Sequence, residues 1–162
     1  MKKRIIVDVE ESFPKPVWLD KISPFVSAVL DDLALENWEL SILFCSNDFI
    51  SKLNKEYRGK DGPTDILSFE QGDEYVDEDG ESWFIAGDII ISVEMLQSNA
   101  VNYDISEDEE LKRLLIHGIL HLDGYDHGED HIQAGKEAQN AMLVLQEKLL
   151  STYTIKIIED IA

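Results

Sequence analysis

The sequence is short of cysteine, of basic charge and of long apolar runs, and each shortage excludes something. One cysteine, Cys45, stands among 162 residues, so a domain stapled by its own disulfides is excluded. No apolar run approaches the roughly 20 residues that a membrane-spanning helix needs. The opening MKKRIIVDVEESF is basic at first, but Asp8 and Glu10 interrupt its apolar run, so it reads as neither a signal peptide nor a membrane anchor. The expected compartment is the cytoplasm, with no membrane partner.

Basic charge is the third shortage. Lys and Arg number 14 against 34 Asp and Glu, a formal net charge of −20. Taken alone, that balance argues against a polyanionic partner, because nucleic-acid binders usually present a basic surface. The cations are unevenly placed, however. None falls between Asp61 and Leu111, whereas Lys52, Lys55, Arg58 and Lys60 lie just before that gap, opposed only by Glu56. A basic edge on an acidic body is one reading; a solvated helix face is the ordinary one.

What remains is the composition of one globular domain spanning 1–162, with 44% hydrophobic and 30% charged residues. A chain of this size buries roughly 70% of its unfolded surface and folds without staples. Arg4 to Val9 reads as a strand. Ser23 and Pro24 look like the N-cap and first residue of a helix with Phe25, Val26, Val29, Leu30 and Leu33 on its inner face. Leu40, Ile42 and Phe44 alternate as a second strand, and Phe49, Ile50 and Leu53 mark a short helix. Gly59, Gly62 and Pro63 make a loop before a strand from Asp65 to Phe69. The acidic stretch from Gly72 to Ser82 reads as a surface excursion. Trp83 to Ser92, nearly all apolar, reads as a central strand. Ser106 and Glu109 have capping-box spacing and open a helix that Gly124 ends. Ala134, Ala138, Ala141, Met142, Leu145 and Leu149 form a last helical stripe, and the tail TYTIKIIEDIA reads either as a short strand or as a frayed end. The expected fold class is α+β: a small mixed four-stranded sheet covered by about five helices.

All four histidines fall within HGILHLDGYDHGEDH. His117 and His121, four apart on a helix, project from one face. Gly124 then turns the chain and can bring His127 back over them. Three neutral imidazoles leave a zinc ion its full charge and an open position, which makes a nucleophile available at neutral pH. Asp123 and Asp126 are candidates to accept the second N–H of a ligand imidazole. His131, beyond the turn, reads as a bystander. Metzincin proteases share this spacing, but their general-base glutamate is replaced here by Gly118, which demotes a metzincin-like zinc hydrolase to an alternative.

Taken whole, HGILHLDGYDH resembles the signature of the YbeY family of bacterial metal-dependent endoribonucleases. YRGKDGPTDILSFE is similar to that family's arginine-bearing segment, and AGDIIIS to its central strand. The resemblance spans about Tyr57 to His127, with the three blocks in family order. It implies one zinc held by His117, His121 and His127, a catalytic role for Arg58, and an α+β fold. It also implies single-stranded RNA as substrate, at the end of small-subunit ribosomal RNA during maturation and quality control. A guanidinium presents a planar fork matched to phosphate oxygens and keeps its charge, which suits Arg58 to that role; the ordinary alternative is a salt bridge with Glu56 or Asp61. Lys55 and Lys60 are candidates to guide the RNA backbone. The chain departs from expectation in its acidity, which would suit a basic protein partner such as a ribosomal protein. A non-catalytic ribosome-assembly factor with a structural metal is the second alternative.

Overall fold

The computed structural model describes residues 2–125 and 141–159. The chain begins with strand β1 (Lys3–Val9), then helix α1 (Ile22–Asp32), strand β2 (Trp38–Cys45) and helix α2 (Asn47–Arg58). Strands β3 (Ile66–Val76) and β4 (Ser82–Ser92) follow, and then helices α3 (Val93–Tyr103), α4 (Glu107–Leu122) and α5 (Ala141–Thr152). The strands form one mixed sheet in the order β1-β2-β4-β3, with β3 antiparallel to β4 and the other pairs parallel. This is the expected α+β class, with the apolar β4 in the interior of the sheet. Among the described residues no helix is long and apolar enough to cross a membrane.

Strand alternation divides the side chains between two faces of unequal character. Leu40, Ile42 and Phe44 on β2 pair in register with Gly87, Ile89 and Ile91 on β4 and point into the main core, which α1, α3, α4 and α5 all enter. On the opposite face Cys45, Ile50, Leu67 and Ile90 make a separate small cluster beneath α2. The other end of that face is finished by polar and aromatic groups. The Arg4 guanidinium lies 4.0 Å over the Trp83 ring and pairs with Asp77 at 3.2 Å.

Three expectations need correcting. The stretch from Gly72 to Ser82 is largely strand: Asp73 to Val76 pair with Ile85 to Ser82, and the turn between is closed by Asp77, whose Oδ1 accepts from the backbone N–H groups of Asp79 and Glu81. Its acidic composition hides the strand because that part of the hairpin buries little of either face. Helix α1 starts at Ile22, because the 3₁₀ turn Leu19–Lys21 feeds directly into it and places Ser23 and Pro24 inside the first turn. Helix α3 brings the helices to the expected five; Ser92 caps it by accepting from the Met95 N–H. The segment from Tyr153 to Glu159 is neither strand nor helix. It docks on the start of α4, where Asp108 accepts from the N–H groups of Ile157 and Ile158 and pairs with the buried Lys112 at 2.9 Å.

Candidate active site

Helix α4 carries the first two histidines of the motif. Ser106 caps it as expected, accepting from the Glu109 N–H at 3.0 Å, with four acidic residues in the first turn to oppose the helix dipole. At the other end Gly124 takes a left-handed φ of +92°, and Tyr125 N–H bonds back to the Leu120 carbonyl. Gly124 therefore ends the helix by the turn that only a glycine adopts without strain. Between these ends α4 lies almost wholly in the core: Leu111, Leu115, Ile116, Ile119 and Leu120 are fully buried.

Gly118 explains how the helix sits so close to the sheet. A Cβ there would lie 2.9 Å from Ile89 Cδ1 and 3.1 Å from Ile66 Cδ1. The position that holds a glutamate in metzincins thus faces the sheet and has no room for a side chain. The replacement that demotes protease chemistry is also a packing requirement.

His117 and His121 are both half-buried on one side of α4. Their rings are 4.7 Å apart between centroids and inclined at 72°, and the two Nε2 atoms approach to 3.1 Å. Zinc–imidazole bonds of about 2.0–2.1 Å at a tetrahedral angle put two ligand nitrogens about 3.4 Å apart, so this pair fits two neighbouring positions on one ion. The Nδ1 of His117 lies 2.6 Å from Oε1 of Gln146 on α5. Gln146 thus stands where an aspartate of the motif was expected for His117. Of those two aspartates, Asp123 is the half-buried C-cap of α4, its carboxyl pushed up by burial. Asp126 lies outside the described residues, as do His127 and His131. Among the described residues no three His, Cys, Asp or Glu side chains converge on one point; the pair from α4 is the described part of the motif.

Gln146 was not anticipated, although the sequence carries a signal for it. It is a polar residue, 2% exposed, beside the apolar stripe of Met142, Leu145 and Leu149. A buried amide in such a place needs partners.

Arg58 is the last residue of α2, on the opposite face of the sheet from α4. Ser46 caps the start of that helix, and Gly59, with φ +65°, ends it through N–H bonds back to Lys55 and Asn54. Asn54 is buried and donates to the Gly62 carbonyl at 3.0 Å, which ties the loop after Arg58 to the helix. Tyr57 rests edge-on against Phe69 of β3, ring centroids 5.3 Å apart. Both halves of the candidate site are therefore anchored on edge strand β3, α4 through Ile66 and α2 through Phe69. Arg58 is exposed and forms no ion pair among the described residues; Asp61 lies instead 3.8 Å from Lys55. Lys52, Lys55 and Lys60 are exposed beside it.

The same residues lie within known sequences. A model of the family described as Endoribonuclease YbeY matches residues 7–154. A Treponema denticola protein named endoribonuclease YbeY is 48% identical over 153 residues, covering 94% of this chain and 95% of its own. A protein of that name from Borrelia turicatae is 42% identical over 127 residues, covering 78% of this chain and 80% of its own. A solution structure of a Thermotoga maritima protein superimposes over 91% of this chain and 87% of its own, with a TM-score of 0.59 at 26% identity. A family match across almost the whole chain, with the histidine helix and the arginine segment inside it, leads to one conclusion: the chain belongs to the endoribonuclease YbeY family.

Proposed function

We propose that this single-domain chain is a zinc-dependent, single-strand-specific endoribonuclease that processes small-subunit ribosomal RNA in the cytoplasm. The observation that carries the reading is the convergence of the His117 and His121 Nε2 atoms at 3.1 Å, within a chain of this family. His127 is the proposed third ligand of one zinc ion, and Arg58 the catalytic residue. Held by His117, His121 and His127, a divalent cation would supply charge at the scissile phosphate and help to form the attacking oxygen nucleophile. On this reading the RNA crosses edge strand β3, against which both α4 and α2 rest, so that Arg58 reaches a non-bridging phosphate oxygen with its fork of N–H groups and stabilises the negative charge that grows as the phosphorus–oxygen bond breaks. Its exposure suits it to meet RNA, and the absence of an ion pair with any described residue suits its fork to a phosphate. Lys55 and Lys60 guide the backbone of the strand along the same edge. The acidic hairpin of β3 and β4 is then the part of the chain suited to a basic ribosomal protein.

The test compares wild type, His121→Ala and Arg58→Ala by elemental metal analysis and cleavage of a single-stranded RNA. The expected result is about one zinc per chain in wild type, loss of metal and cleavage in His121→Ala, and full metal with cleavage reduced about a hundredfold or more in Arg58→Ala. Equal cleavage by all three proteins would assign the activity elsewhere and favour a non-catalytic assembly factor.

A further inference from the structure

Beyond its first residue, Glu107, helix α4 leaves a single line of side chains outside the core, Glu109, Arg113, His117 and His121, each one helical step of four beyond the last. Helix α5 runs along this line and meets it with Gln146 and Glu147. Arg113 donates from Nε to Glu147 Oε2 and from a terminal nitrogen to Glu147 Oε1, both at 3.0 Å, so the carboxylate is held by two prongs. Burial alone would raise the Glu147 carboxyl, but these bonds, that of Gln146 and the Arg113 charge hold it below its ordinary value. Gln146 in turn donates from Nε2 to Glu147 Oε2 at 3.0 Å.

That last contact decides the state of a histidine. A carboxylate can only accept, so the amide nitrogen of Gln146 belongs on the Glu147 side and the amide oxygen on the His117 side. An amide oxygen can also only accept, so the nitrogen 2.6 Å away, Nδ1 of His117, carries the proton. The lone pair then sits on Nε2, the atom facing His121. Turning the amide over would set its oxygen against the Glu147 carboxylate and leave two lone pairs in contact. We propose that Gln146, held in one orientation by the Arg113–Glu147 pair, is a positioning residue that locks His117 in the Nδ1–H tautomer and aims its Nε2 lone pair at the point shared with His121. A free imidazole prefers the opposite tautomer, so α5 does part of the work of preparing the site before any ion arrives.

This inference deepens the metal reading and rests on it for its purpose, though not for its test. Side-chain ¹⁵N spectra of the metal-free protein, recorded near pH 8 where imidazoles are neutral, report the tautomer of His117 directly. Wild type should show the proton on Nδ1. Gln146→Leu should move it wholly or partly to Nε2 and weaken zinc binding tenfold to hundredfold in competition with a chelator. Gln146→Glu keeps an acceptor and should restore both. Glu147→Gln, which keeps the shape of α5 but frees the amide to turn, should give mixed tautomers and an intermediate zinc affinity. Thermal melting separates these effects from a loss of fold. His117 still protonated on Nδ1 alone in a folded Gln146→Leu protein overturns the proposal. Should that variant not fold, the same result in Glu147→Gln does so. A protein with the expected tautomers that never binds zinc would instead contradict the function proposed above and leave the role of Gln146 standing.

Discussion

On one face of the sheet, Leu40, Ile42, Phe44, Ile89 and Ile91 are sealed within a core that four helices share; on the other, four buried residues sit under α2 alone. His117 and His121 belong to the first face and Arg58 to the second. On the proposed function, the difference follows from what each group would have to do. Metal ligands must be held to a few tenths of an ångström, which calls for a helix packed on nearly every side and oriented by a neighbour such as Gln146. A residue that meets a phosphate must reach solvent and a flexible strand, and a cation at the exposed C-terminal end of a helix does so. Precision is built into the thick face and access into the thin one.

The strongest challenge to this division is Gly118→Glu. A glutamate there restores the residue of a metzincin motif, but its side chain must enter the space already filled by Ile89 and Ile66. An overpacked core costs about 1–3 kcal/mol, and a buried carboxylate without a partner costs more than that. The expected outcome is a loss of about 3 kcal/mol or more in chemical denaturation, with no gain of peptidase activity. A variant that melts like wild type would show that α4 does not need its close approach to the sheet.

A smaller and more discriminating effect comes from truncating one fully buried side chain on each face, Leu115 and Ile50. Leu115→Ala should cost about 2–5 kcal/mol and weaken zinc binding, because the cavity removes support from the side of α4 opposite the histidine line. Ile50→Ala should fall at the lower end of that range, because a helix resting on a small cluster can settle into the space. It should leave zinc affinity unchanged and reduce RNA cleavage through the displaced Arg58. Equal effects of both substitutions on zinc affinity would dissolve the distinction between the faces.

The sequence announces the thick face more clearly than the thin one, for a physical reason. Apolar periodicity exposes β2, β4 and α4, and histidine spacing exposes the close pair His117 and His121, because both are local regularities. Gln146 escapes such reading: its role depends on a contact between residues 29 apart in sequence. The hairpin beyond Glu70 escapes for the opposite reason. Its β3 side is exposed from Glu70 to Glu74, and its pairing is fixed by the Asp77 turn and by Tyr75 opposite the buried Trp83, so β3 has no hydrophobic alternation to display there. Helix α3 is hard to read because an amide, Asn99, interrupts its buried face of Val93, Leu96 and Ala100, and because it continues directly from β4. Arg58 is legible only through its resemblance to a family segment; on composition alone it looks like any surface cation.

The gentlest probe of the two faces is acid. Near the thick face, burial raises the carboxyls of Asp65 and Glu110 above their ordinary values, with Asn99 donating to both at 3.1 and 2.9 Å and Asp65 raising Glu110 further by its charge. A raised carboxyl takes up a proton in the folded chain at a pH where the unfolded chain is still ionised. Stability contributed by these groups therefore grows as pH falls from neutrality towards the ordinary values of 3.8 and 4.5. Glu147 has the opposite sign: its lowered carboxyl contributes stability above 4.5 that is lost as pH falls through its folded value. Melting temperature should thus hold or rise slightly from about pH 7 to about pH 5, before general acid unfolding sets in. Glu110→Gln should flatten that rise, since an amide cannot take up the proton, whereas Arg58→Ala on the thin face should leave the profile unchanged. An identical profile in Glu110→Gln would remove this buried carboxylate from the account of the thick face, and a changed one in Arg58→Ala would tie the exposed edge to the folding core.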